Sequence, residues 1–128
     1  MPKTTQLVLT LRSKTGVLAG ISRALADAKV NILSLSAAEA AGRGKIRIVV
    51  NKPTLAKRAL RKARVRFVEE VAFSKRLSNK PGALARVAEK LARARVNIKS
   101  AYATTAGRGG ATVVITVSNA AKARRLIG

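Results

Sequence analysis

The chain repeats itself. Residues 14–37 and 80–103 align without a gap at an offset of 66, and twelve of the twenty-four positions are identical. The first copy carries Lys14, Gly16, Leu18 and Ala19, then Val30, Asn31, Ile32 and Ser34. The second carries Lys80, Gly82, Leu84 and Ala85, then Val96, Asn97, Ile98 and Ser100. Self-similarity of this kind constrains architecture before any local propensity is considered, because each copy must be one supersecondary unit. Within 128 residues, two small modules are therefore expected, at 5–70 and 71–128, rather than one larger domain.

Hydrophobic period assigns the elements inside each module. Residues 6–12 alternate and are rich in Leu and Val, which reads as a strand, and 71–77 is its more charged counterpart. Thr15-Gly16 and Pro81-Gly82 supply turn chemistry that opens a helix. Leu18, Ile21, Leu25 and Ala28 then fall on one helical face, as do Leu84, Val87, Leu91 and Ala94. Residues 30–37 and 96–103 read as strands. Gly42-Arg43-Gly44 and Gly107-Arg108-Gly109-Gly110 turn the chain into further strands at 46–50 and 112–117. Pro53 opens a helix over 54–63, followed by a strand at 65–69. The first module is thus β-α-β-β-α-β, the ferredoxin-like order.

The second module follows the same order through a helix at 120–126 and lacks its final strand. That edge either stays open or is served by the run 65–77 as one long or swapped strand. The expected fold class is α+β: two ferredoxin-like modules in tandem, with antiparallel sheets and helices on one face. An open strand edge invites pairing with another chain, so a homodimer is expected. Val49, Leu33 and Leu35 suggest an apolar second sheet face in need of cover.

The stretch Asn79-Lys80-Pro81-Gly82-Ala83-Leu84, continued by Val96-Asn97-Ile98 after the helix, resembles the first half of an ACT domain. That family is marked by an N-x-P-G-x-L loop, an amphipathic helix and V-N-I leading into the second strand. The first copy is a weaker version, with Ser13-Lys14-Thr15-Gly16-Val17-Leu18 and Val30-Asn31-Ile32. The resemblance spans about residues 5–127 and looks like that of stand-alone tandem ACT proteins. It implies a regulatory protein that binds a free amino acid or similar metabolite at the seam between modules. Carried over by motif, the ligand-binding set is Asn79, Lys80, Pro81, Gly82, Ala83, Leu84, Asn97 and Ile98. In the first copy it is Ser13, Gly16, Val17, Asn31 and Ile32. The loop around Asn79 is the stronger candidate of the two. Backbone N–H groups at a helix start suit a carboxylate, and an Asn side chain both donates and accepts. One departure stands out: where the family places Gly at the helix end, this chain has Lys29, Arg64 and Arg95. If the left-handed turn is kept there, each costs about 1 kcal/mol.

Composition narrows the chemistry. The chain has neither Cys nor His, which removes zinc fingers, iron–sulfur sites, thiol nucleophiles, disulfides and Ser-His-Asp triads. Its acids, Asp27, Glu39, Glu69, Glu70 and Glu89, are scattered rather than paired. No catalytic residue, metal or cofactor is expected, so the chain does not read as an enzyme. No apolar run approaches the ~18 residues of a membrane helix and no signal peptide is legible, so no membrane partner and a cytoplasmic location are expected.

The charge suggests two alternatives: a basic nucleic-acid-associated protein, or an engineered, supercharged ACT scaffold without a retained ligand. Lys and Arg number 27 against 5 acids, a net charge of +22. Lys57, Arg58, Arg61 and Lys62 form one stripe at helical spacing, and Arg86, Lys90 and Arg93 another, the footprint of a nucleic-acid partner. No aromatic lies in the 45–50 or 111–117 strands to stack bases, so such binding would be phosphate-driven, non-specific and confined to low salt. The glycine-rich turns lack the spacing of a phosphate loop and precede strands.

Overall fold

A computed structural model of the chain describes residues 1–12, 14–78, 80–105 and 110–128. Ser13, Asn79 and most of the expected 107–110 turn lie outside the described residues. The elements run β1 (Lys3–Arg12), α1 (Val17–Asp27), β2 (Ile32–Ala40), β3 (Arg43–Val50), α2 (Pro53–Lys62), β4 (Val68–Leu77), α3 (Ala83–Arg93), β5 (Ile98–Thr105), β6 (Ala111–Val117) and α4 (Ala120–Ile127). They fall into two compact units. One is Thr5–Glu70; the other joins Met1–Thr4 to Val71–Gly128. The α+β class with antiparallel strands is as expected from the repeat.

In the N-terminal unit β3 lies between β1 and β2, antiparallel to both, with Leu7 opposite Ile48 and Leu9 opposite Ile46. Alternation sends Leu7, Leu9, Ile46, Ile48 and Val50 to one face. Ile21 and Leu25 of α1 and Ala56 and Leu60 of α2 pack onto them. The β2–β3 hairpin turns on Ala41 (φ 53°) and Gly42 (φ 78°), a two-residue connection whose positive dihedrals match strand twist. Gly44, read from the sequence as part of that turn, instead sits inside β3 opposite Leu11 and Glu39.

In the C-terminal unit β6 pairs with β4 and β5. Phe73, Val113, Ile115 and Val117 form a core with Leu91 of α3 and Ala123 of α4. Met1 is buried in that same core, and Ser74 donates its N–H to the Pro2 carbonyl at 2.9 Å. Residues 1–4 thus lie beside β4, the edge that the ferredoxin-like order assigns to a final strand. The two strands expected at 65–69 and 71–77 are one, β4, which starts at Val68 and crosses the boundary between units.

All three expected left-handed turns are kept. Lys29, Arg64 and Arg95 have φ of 64°, 59° and 60°. In each, the following valine N–H reaches back to a leucine carbonyl five residues earlier: Val30 to Leu25, Val65 to Leu60, Val96 to Leu91, at 2.9–3.0 Å. The basic residue itself donates to Ala26, Arg61 or Ala92 at 2.9–3.0 Å. These are Schellman motifs, sealed by the Val–Leu contact in the core.

The helix faces depart from the expected pattern at one repeated position. Leu18 is 41% exposed and Leu84 50% exposed, although periodicity places both with the core. Both belong to the first helical turn, beside the strand–helix loop. The second sheet face also differs from expectation: Val49 is only 4% exposed, whereas Leu33 and Leu35 remain exposed. Leu35 stands opposite Ile48, on the helix side of the sheet, because an irregularity between Ile32 and Ser34 shifts its register.

Candidate functional site

The strand–helix loop of the N-terminal unit is shaped by one glycine. Gly16 caps α1 at φ 88°, ψ −3°, with no side-chain hydrogen bond to the helix end. A Cβ on Gly16 would meet nothing within 4 Å, so its dihedral demands glycine and crowding does not. Val17 N–H donates to the Lys14 carbonyl at 3.3 Å and Gly20 N–H to Gly16 at 2.9 Å. The amides between them open the helix without the i−4 partner of interior residues, and the helix dipole is positive at that end. Gly82 repeats the geometry at φ 90°, ψ −12° as the cap of α3.

A groove of about 210 Å³ opens beside the first loop. Leu11, Val17, Leu18, Ala37 and Ile46 give it apolar walls; Arg12, Lys14 and Glu39 add charge at its edge. Glu39 Oε1 accepts the Gly42 N–H at 3.0 Å, which anchors the carboxylate on the hairpin. The exposure of Leu18 is explained here: it borders the groove instead of a packed layer. Of the residues singled out in the first copy, Val17 lines this groove and Gly16 shapes it. Leu11, Leu18, Ala37 and Ile46 were not singled out as site residues, because each carries only the signature of core periodicity.

The asparagines stand elsewhere. Asn31 N–H donates to Asn51 Oδ1 at 2.9 Å, and its carbonyl accepts the Asn51 N–H at 3.1 Å. Asn97 repeats this with Ser118: its N–H donates to Oγ at 3.0 Å and its carbonyl accepts at 2.8 Å. Both asparagine residues are exposed. Within one unit α1 separates Gly16 from Asn31, and the 11 residues of α1 span about 16 Å. The same holds for Gly82 and Asn97 across α3. Ile32 and Ile98 begin the second strands at that far end and pack partly buried against their unit's core. Lys80, Pro81 and Leu84 surround the second loop, exposed, with Ala83 partly buried.

The basic residues of α2 have different surroundings. Lys57 Nζ is 3.0 Å from Glu69 Oε1. The Arg61 guanidinium lies over the Phe67 ring, 5.3 Å from its centroid. Arg58 and Lys62 instead line a groove shared with Ala24, Asp27 and Leu55 of the same unit. Arg86 and Lys90 of α3 border a groove with Met1 and Lys75, and Arg93 is exposed. Among the described residues no helix is long and apolar enough to cross a membrane.

The family model for an ACT domain pair matches residues 3–128. The chain is an ACT domain pair. Membership carries with it a small-molecule-binding regulatory role. A Bacteroides thetaiotaomicron protein of known structure is 30% identical, with a TM-score of 0.90 over 98% of this chain and 86% of its own. The ligand-free regulatory subunit of aspartate kinase from Thermus thermophilus shares the fold at 17% identity and a TM-score of 0.66, over 97% of this chain and 92% of its own. A structure of aspartokinase alpha and beta subunits does so at 17% identity and a TM-score of 0.63, over 99% of this chain and 95% of its own. No curated protein matches the chain. The ACT pair repeats its loop and cap geometry in both units, so the two strand–helix loops are equivalent positions of one module.

Proposed function

We propose that this ACT domain pair is a non-catalytic, cytoplasmic regulator that binds a free amino acid at its strand–helix loops and works as a homodimer. The observation that carries the reading is the uncapped helix start at Gly16 with an apolar groove beside it. A zwitterion matches that groove in three ways. Its carboxylate suits the first amides of α1 together with Arg12 and Lys14. Its ammonium suits Glu39, and an apolar side chain suits the walls of Leu11, Val17, Leu18 and Ile46. At about 210 Å³ the groove is smaller than the ~300–1,000 Å³ of drug-sized sites, in keeping with so small a ligand.

The separation of Gly16 from Asn31 gives the asparagines a different part in the same reading. One ligand cannot touch both within a unit. In this reading a ligand held by the loop of one module, Asn79 included, would be met by the V-N-I asparagine, Asn31 or Asn97, of another. The test is a thermal-shift screen of the twenty amino acids at salt high enough to quench phosphate binding. A native-state ligand stabilises by about 2.7 kcal/mol at 100-fold its Kd. We expect a shift from a small apolar subset, reduced by Leu18→Asp and by Asn31→Ala. No shift from any amino acid, or a shift that survives both substitutions, overturns the reading.

A further inference from the structure

A further open groove, separate from the strand–helix loop groove, lies within the N-terminal unit and has a different chemistry. Its volume is about 930 Å³, and four arginines border it: Arg43 from β3, Arg61 from α2, and Arg64 and Arg66 from the segment leading into β4. Among the described residues none of the four is in a salt bridge. Glu69 also borders the groove, but its carboxylate is held by Lys57 at 3.0 Å, so it does not cancel the arginines. Four exposed arginines bordering one open hollow concentrate positive potential there and favour an anion.

The arginines are also partly set in place. Arg61 rests on the Phe67 ring, and the backbone of Arg64, though not its side chain, is fixed in a left-handed turn. The rest of the lining includes apolar residues: Val8 is buried, Phe67 and Val65 are half-buried, and Val68 is 64% exposed. Guanidinium forks match phosphate oxygens in pairs, and an aromatic or aliphatic lining suits the body that carries the phosphates. An evenly charged surface would serve a nucleic-acid backbone. An open groove lined by both arginine and apolar side chains fits a compact molecule with both parts.

We infer that this groove binds a small phosphorylated metabolite with an aromatic or apolar body, of the nucleoside polyphosphate class. It is distinct from the amino-acid site and does not depend on it. The chain would then sense two ligands of different chemistry through one unit.

The test is isothermal titration of the full chain at ~0.15 M salt, with ATP, tripolyphosphate, adenosine and a duplex DNA as probes. ATP is expected to bind more tightly than tripolyphosphate, and adenosine to give no signal. Arg43→Ala with Arg66→Ala should weaken ATP by about tenfold or more. Arg93→Ala with Arg124→Ala removes the same net charge from the C-terminal unit and should change it less than about twofold. Phe67→Leu should weaken ATP and leave tripolyphosphate unchanged. Equal losses from the two arginine pairs would reduce the effect to overall charge and overturn the inference. Duplex DNA binding with no signal from ATP would overturn it in favour of a nucleic-acid surface.

Discussion

The two units of the chain share a repeat and differ in how they close. The N-terminal unit is assembled from one uninterrupted stretch, Thr5–Glu70, and its helices and strands meet after short connections. The C-terminal unit draws Met1–Thr4 from the far end of the chain. Met1 enters its core and Pro2 accepts a hydrogen bond from Ser74. Near-identical helices, turns and caps therefore do not dictate identical closure. The unit that must bring distant residues together bears a larger loop-closure cost, and it does so through four residues that include the first two of β1.

Removing residues 1–4 is the strongest way to break that asymmetry. Burial of the Met1 side chain contributes about 1.5–3 kcal/mol and the Pro2–Ser74 hydrogen bond about 1 kcal/mol. Urea unfolding of the truncated chain should show a loss of about 2–4 kcal/mol. Amide exchange should accelerate in α3 and β6 and leave α1 and β3 unchanged. If protection falls equally in both units, the closure difference has no energetic meaning.

A smaller effect compares features that the units share. Lys29→Gly, Arg64→Gly and Arg95→Gly each remove a side chain from a left-handed position. Each should raise stability by about 0.5–1 kcal/mol, reduced somewhat by the greater freedom of Gly in the unfolded chain. Chemical denaturation of the three single variants measures this. A loss at any site would mean that the basic side chain contributes there more than its backbone strain costs.

The smallest effect is electrostatic and belongs to the C-terminal unit alone. The Met1 α-amine is held below its ordinary value of 8.0, chiefly by burial and then by the charges of Lys75 and Lys90. At a given pH the unfolded chain then binds more protons than the folded one, so stability rises with pH. The gain is complete above 8.0 and is lost as pH falls through the lower folded value. With no His and no Cys in the chain, no side chain of ordinary pKa titrates in the same window. Urea midpoints between roughly pH 6 and 9 should rise, and Lys90→Gln should flatten that rise. A flat profile in the parent chain would show the amine to be solvated in both states.

Much of the architecture was legible from residue order alone. The repeat at 66 residues, the alternation of Leu7, Leu9, Ile46 and Ile48, and the turn chemistry at Gly16 and Gly82 each rest on short-range rules. The left-handed turns at Lys29, Arg64 and Arg95 were legible only through the family resemblance, which places Gly there; the basic residues themselves give no local sign of a positive φ. The groove was less legible. Leu18 has the same periodicity as Ile21 and Leu25, and no local signal marks it as exposed. The distance between Gly16 and Asn31 is likewise invisible in a motif that lists them only a helix apart. Asn51 and Ser118, which hold the two asparagine backbones, have no resemblance to each other in the repeat.

Chain order by itself determined that there are two modules, which elements compose them, and where glycine must turn the backbone, because those properties depend on neighbours within about five residues. Only the folded chain decided that residues 1–4 join the second unit and that β4 is one strand. It also decided that Arg43, Arg61, Arg64 and Arg66 share a groove. Such facts depend on which distant segments lie side by side, and pairing across tens of residues is set by the total burial it achieves rather than by any one segment's pattern.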